Sequence, residues 1–309
     1  MKIMKSNFIG PLLIACAALL WATDALFRVP AVSALDPTLI VGIEHLIGLL
    51  FLSPLVLLGS GSRKSFVQMS LRGWIAAIFI GMGGSAIATV LFTGSFRYIN
   101  PSVTILLQKL QPLLVVAIAY IFLGEKPRPR FLIWAAIALF SGVVLSFPDL
   151  DFSFMGGGLT LRSRGVLYSI GAASLWAVTT VLGKALLRKV PVLVTTFWRY
   201  AFGLVTLALL ISFSGTPLPK EALQNTQIWT SLFYMGLVPG LLAMLLYYRG
   251  LSRTPASVAT FVELVFPVSA VVLNSIILKM PLSNVQLIAG AVLLFSVTRI
   301  SVKSPVDDT

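Results

Sequence analysis

Gln108, Lys109 and Gln111, followed at once by Pro112, are where this chain concentrates its polar chemistry. They sit about a third of the way into an apolar run, 102–123, that is long enough to cross a bilayer as a helix. An ionisable group at that depth costs at least ~2.5–3.5 kcal/mol on insertion scales, so it must face a partner or a wet cavity. Pro112 has no N–H for the carbonyl four residues back, which belongs to Gln108. A free carbonyl, two amides and an ammonium therefore converge on one turn, as a binding site for a polar solute would require. The plainer alternative is a kinked helix whose polar groups satisfy one another inside a bundle.

Glu44, Arg199 and Glu263 also lie well inside apolar runs. With Lys109, each stands seven residues in from the estimated start of its helix, at Pro37, Ser102, Val192 and Ala256, or roughly 10 Å deep. Glu44 and Lys109 then share an outer level, and Arg199 and Glu263 an inner one. Buried charge generally needs a partner. The expected pairs are Glu44–Lys109 and Arg199–Glu263, either as structural ion pairs or as gates that a zwitterionic solute opens. His45, beside Glu44, and Asp24, toward the outer end of its run, are candidates for relaying protons, although a lone histidine equally serves in packing. Trp21 and Trp176 lie inside runs, where they could stack on a solute or fill space between helices. Glu125 and Lys126 read as cytoplasmic surface.

These residues need a membrane bundle to hold them. The chain has 309 residues, 58% of them hydrophobic and 11% charged, with a mean hydropathy of +0.97, and this excludes a soluble domain. One cysteine, Cys16, excludes a disulfide framework, and no His/Cys cluster suggests a metal or other cofactor. The net charge of +13 has no basic stripe with interleaved aromatics, so nucleic acid is not the expected partner. Lys2, Lys5 and the Leu13–Cys16 stretch imitate a cleaved leader, but the apolar run continues to Phe27 and no cleavage is expected.

Ten apolar runs follow one another, at approximately 8–28, 37–58, 73–96, 102–123, 130–147, 165–187, 192–213, 228–250, 256–278 and 283–302. The longest gap contains Gly156-Gly157-Gly158 and reads as a linker, 151–164, between a first half at 1–150 and a second at 165–309. The halves are copies. An ungapped shift of 155 carries Gly10 onto Gly165, Trp21 onto Trp176, Gly48 onto Gly203, Trp74 onto Trp229, Gly81 onto Gly236 and Pro112 onto Pro267. Five spans per copy force the second copy to enter the membrane upside down. The expected fold is thus an all-α integral membrane protein of ten transmembrane helices in two inverted five-helix repeats, with binding near the midplane where they meet. Fifteen of the 23 Lys and Arg fall on the amino-terminal side and six, Arg28 among them, on the other, so both termini are expected in the cytoplasm.

The register of the repeat adds one detail. Glu44 maps onto Arg199 and Gln108 onto Glu263, while Lys109 maps onto Leu264. Pro267 frees the carbonyl of Glu263 as Pro112 frees that of Gln108, which marks this level of the fourth and ninth runs as cavity-lining.

LLWATDALF and SLWAVTTVLGK open the two halves, and LLQKLQPLLVVAIAYIFLGEKP and VELVFPVSAVVLNSIIL fill their fourth spans. On these stretches and on QLIAGAVLLFSV, nearly the whole chain resembles the EamA type of the drug/metabolite transporter superfamily. The resemblance implies a ten-helix inverted-repeat carrier with both termini cytoplasmic, often exporting amino acids or other metabolites, and a central cavity at Gln108, Lys109, Gln111 and Glu263. The chain departs from the pattern at Leu278-Lys279-Met280, where Leu-Gly-Glu is usual, and at Glu44, where a base is common.

The function expected is secondary transport of a small polar metabolite such as an amino acid across the inner membrane, most often outward. Lys109 would hold a carboxylate, Glu263 an ammonium or a coupling proton, and Trp21 or Trp176 the apolar part. The partners are a small-molecule solute, the lipid bilayer and, as a candidate coupling ion, the proton; a homodimer is compatible. Drug or nucleotide-sugar carriers of the same fold are the alternatives. An intramembrane enzyme would need a convergent nucleophile and base, which no motif supplies, and a non-transporting scaffold has little use for polar centres.

Overall fold

The computed structural model describes residues 8–58, 69–114, 116–117, 129–151, 158–216, 219–254 and 256–301. The far end of the fourth expected span (118–123), Glu125, Lys126, Gly156 and Gly157 lie outside these residues. Every regular element among the described residues is a helix. In chain order they are α1 (Ile9–Ala22), α2 (Asp24–Ala34), α3 (Pro37–Leu58), α4 (Leu71–Ser95), α5 (Pro101–Leu107), α6 (Pro129–Ser146), α7 (Leu161–Leu187) and α8 (Val192–Ser214). A short α9 (Lys220–Gln224) precedes α10 (Thr226–Leu251), α11 (Ala256–Val262), α12 (Val265–Ile276) and α13 (Asn284–Ser301).

Six of these stretches, counting α1 and α2 as one from Ile9 to Ala34, are long and apolar enough to cross a membrane. The fourth and ninth expected spans are not single helices. α5 gives way to a 3-10 turn at Gln108–Leu110, and α11 stops at Val262 before α12 restarts at Val265. Pro112 and Pro267 cause both breaks by withholding the donor that a continuous helix needs. The freed carbonyls are not left open, as the sequence suggests. The Gln111 N–H takes that of Gln108, and the Phe266 N–H takes that of Glu263 at 3.1 Å. A tightened turn thus satisfies the backbone and leaves only side chains to face inward.

Local structure repeats at the same shift of 155. α4 is π-helical over Ile80–Ile87 and α10 over Gly236–Leu242, one wide turn in each half. Ser70 caps α4 by accepting from the Gly73 N–H, and Asn225, its counterpart, caps α10 by accepting from the Gln227 N–H. Packing follows the same rule crosswise: α1 lies on the end of α10, α7 on the end of α4, α3 on α8, and α6 on α13. Large apolar side chains such as Leu50, Phe51, Leu58, Phe213 and Ile288 remain on the outside, as lipid-facing helices require. Inside, contact depends on small residues that let helices approach. Gly48 receives the ring of Tyr200, and Gly203 receives that of His45 with its Cδ2 only 2.7 Å from where a Cβ would stand.

Candidate functional site

α1, α2, α3, α4, α5, α7, α8, α10 and the break between α11 and α12 surround one cavity of about 230 Å³. It collects every residue that the sequence offers for binding, gating or proton relay: Trp21, Asp24, Glu44, His45, Gln108, Lys109, Gln111, Trp176, Arg199 and Glu263 all line it.

The charges do not pair as expected. Glu44 meets Arg28, not Lys109: Nη1 and Nη2 of Arg28 lie 3.0 and 3.1 Å from the two carboxylate oxygens. The other edge of the same guanidinium grips Asp24 at 2.5 and 2.8 Å, and Nη1 donates to Thr93 Oγ1 at 2.9 Å. Arg28 is 4% exposed, Glu44 6% and Asp24 9%, so one cation serves two carboxylates out of water. The planar fork of arginine suits this, since each edge can engage a carboxylate. Depth counted along straight helices misses the arrangement, because the first helix breaks at Thr23 and runs on as α2 to Ala34. Arg28, read from the sequence as an outer-side charge, is thereby placed inside.

Glu263 is likewise not the partner of Arg199. Its Oε2 lies 3.9 Å from Lys109 Nζ, and its Oε1 accepts from Tyr247 OH at 2.9 Å. Both side chains sit where their proline-broken helices interrupt, so the two interruptions bring them together. Lys109 also lies over the Phe266 ring, 5.4 Å from its centroid. Arg199 is in no ion pair among the described residues. It donates to the Gly84 carbonyl at 3.2 Å and approaches Tyr248 OH at 3.4 Å.

His45 has both ring nitrogens engaged, Nδ1 with the Val41 carbonyl at 2.8 Å and Nε2 with Ser85 Oγ at 2.7 Å. Its ring centroid lies 5.0 Å from that of Tyr200. Neither nitrogen bonds to Asp24 or Glu44, so the geometry favours packing over a relay to those carboxylates. Gln108 and Gln111 are half-buried at the cavity wall, flanking Lys109.

The two tryptophans hold the wall itself. Trp21 Nε1 donates to the Pro239 carbonyl at 2.9 Å, and Trp176 Nε1 donates to the Gly84 carbonyl at 2.8 Å. Pro239 and Gly84 are also 155 apart, and each lies in a π-helical turn of the half opposite its tryptophan. Around them Trp21 packs on Tyr247 at 5.0 Å and Phe266 at 6.3 Å, and Trp176 on Phe92 at 5.4 Å. Sequence reasoning missed Arg28 and the aromatic neighbours of the two tryptophans, Tyr247, Phe266 and Phe92. The spacing of Asp24 and Arg28, four apart on one helix, was the available signal for the first. The lining aromatics look like any others in an apolar chain.

Comparison with known proteins identifies the family. The model of the EamA-like transporter family matches residues 8–147 and again 163–302. The riboflavin transporter ImpX of Fusobacterium nucleatum is 30% identical over 303 residues, 96% of this chain and 99% of its own. The uncharacterized inner membrane transporter YhbE of Escherichia coli is 25% identical over 59% of this chain and 56% of its own. A solved structure titled "Crystal structure of protein" shares the fold with a TM-score of 0.63, at 23% identity over 94% of this chain and 96% of that one. A multi-pass bundle of apolar helices, closed around a cavity with charged and aromatic walls and matched twice by one family model, belongs to the EamA-like transporter family.

Proposed function

We propose that the chain is a secondary carrier in the inner membrane whose solute is a polar metabolite with a flat aromatic body. The observation that carries this reading is the cavity wall: Trp21, Trp176, Tyr247 and Phe266 offer ring faces and edges beside Lys109, Glu263, Gln108 and Gln111. Aromatic walls with a few placed polar groups suit a heteroaromatic solute. Riboflavin is the first candidate, because the Fusobacterium nucleatum relative is named a riboflavin transporter. Ten spans in two inverted halves, with both termini cytoplasmic, complete the proposal. Support comes from the double family match and from caps, π-helical turns and indole bonds that recur at one shift. In alternating access the halves would rock about the level of Lys109 and Glu263.

Export of an amino acid is the second reading, favoured by one contact. The Lys109–Glu263 pair, at 3.9 Å, is loose enough for a carboxylate and an ammonium to enter between its members. Counterflow in proteoliposomes decides between the two. We expect internal riboflavin to drive uptake of labelled riboflavin and mixed amino acids to have no effect, with Lys109→Ala removing at least about nine-tenths of the flux, ~1.4 kcal/mol. Amino-acid counterflow without riboflavin counterflow would establish the second reading instead.

A further inference from the structure

We propose that Arg199 forms an anion-binding subsite of the cavity, so that an aromatic solute bearing a carboxylate or phosphate binds more tightly than its neutral counterpart. The proposal rests on the carrier reading above and extends its solute class to anionic relatives of the neutral candidate. In the first half, Glu44 finds its counter-ion in Arg28, and Thr93 contacts the same guanidinium. The shift of 155 turns Glu44 into Arg199, Thr93 into Tyr248 and Arg28 into Gly183.

Arg199 approaches Tyr248 OH, at 3.4 Å. Where the counter-ion would stand there is no side chain, and a Cβ built on Gly183 would find only that hydroxyl, at 3.5 Å. The second half therefore has no side chain at the repeat position of Arg28, and a Cβ there would lie against the same hydroxyl that Arg199 approaches. None of the acids lining the cavity lies within ion-pair distance of Arg199: Asp24 and Glu44 are held at Arg28, and Glu263 at Lys109 and Tyr247. The remaining contact of Arg199, the Gly84 carbonyl, also accepts the Trp176 indole and carries no charge to offset a guanidinium. A cation at this depth must face a partner or a wet cavity, and Arg199 faces the cavity with no carboxylate that an entering anion would have to displace. A solute carboxylate or phosphate can engage the guanidinium through two parallel bonds. Trp176 and Tyr248 stand beside it to meet the ring that bears the anion.

The test compares the neutral and anionic members of two probe pairs, riboflavin with flavin mononucleotide and benzamide with benzoate. Their binding to the purified full chain is followed by thermal stability. In the unaltered protein the anionic member of at least one pair should bind about tenfold more tightly, the ratio given by ~1.4 kcal/mol of charge-assisted bonding. Arg199→Gln should bring that ratio close to one, and Arg199→Lys should keep part of it. Gly183→Asp leaves Arg199 in place but supplies an internal carboxylate, so it too should erase the preference. It decides the matter if Arg199→Gln does not fold. Preference for benzoate without binding of either flavin would sustain the subsite while removing riboflavin as the candidate. If no anionic probe gains over its neutral partner, or if the gain survives both Arg199→Gln and Gly183→Asp, the subsite is refuted, whether or not riboflavin binds.

Discussion

Arg28 holds two carboxylates at once, so the three side chains must respond to substitution as a unit. Arg28→Met leaves Asp24 and Glu44 buried without their cation, a loss of ~3–5 kcal/mol that should appear as a large fall in melting temperature. Arg28→Met combined with Asp24→Leu and Glu44→Leu should recover most of it, because apolar replacement of a whole buried ion cluster is often nearly neutral. The neighbouring pair can be tested by double-mutant cycles. Lys109→Leu and Glu263→Leu should couple by more than ~0.5 kcal/mol, whereas Arg199→Leu and Glu263→Leu should simply add. The sequence shows Glu44, Lys109, Arg199 and Glu263 to lie inside, leaves Asp24 and Arg28 toward the outer end of their run, and misassigns the partners. Distance from a helix start measures depth only while the helix is straight, and the relevant helices break at Thr23, Gln108 and Glu263. Arg28 falls where the apolar run ends, so hydropathy alone places it in the outer loop.

At the scale of elements, α4 and α7 touch through a glycine. A Cβ at Gly84 would collide with Thr179, whose own Cβ stands 2.7 Å away, and the Gly84 carbonyl binds both Trp176 and Arg199. Gly84→Ala should therefore push the helices apart and cost ~1–3 kcal/mol of stability, as overpacking does. Gly83→Ala, with its nearest neighbour at 3.7 Å, should be tolerated. Equal melting temperatures for the two variants would show that the helices can separate freely here. The glycine cluster is legible in the sequence as a close-packing signal, but which glycine matters is not. That depends on the π-helical turn at Ile80–Ile87, whose extra residue rotates the helix face and has no compositional mark of its own.

At the scale of the whole molecule, the repeat was readable because tryptophans, glycines and prolines recur at one spacing against an apolar background. The same spacing shows Glu44 replaced by Arg199, but it could not show the partners: Glu44 meets Arg28 in one half, while Arg199 is in no ion pair among the described residues in the other. The proposed inverted halves make a test of topology direct. Reporter fusions after Gly158 and after Ser301 should report opposite sides of the membrane, and the same side from both would refute the inversion. The paired indoles have a further consequence. Trp21 and Trp176 are two of the protein's six tryptophans, and both are pinned by hydrogen bonds at the wall of the cavity. Their emission should respond to whatever enters the cavity beside them, while tryptophans away from the cavity stay constant. Occupancy of the cavity can therefore be followed by ultraviolet light alone, with no label attached, in detergent or in a bilayer.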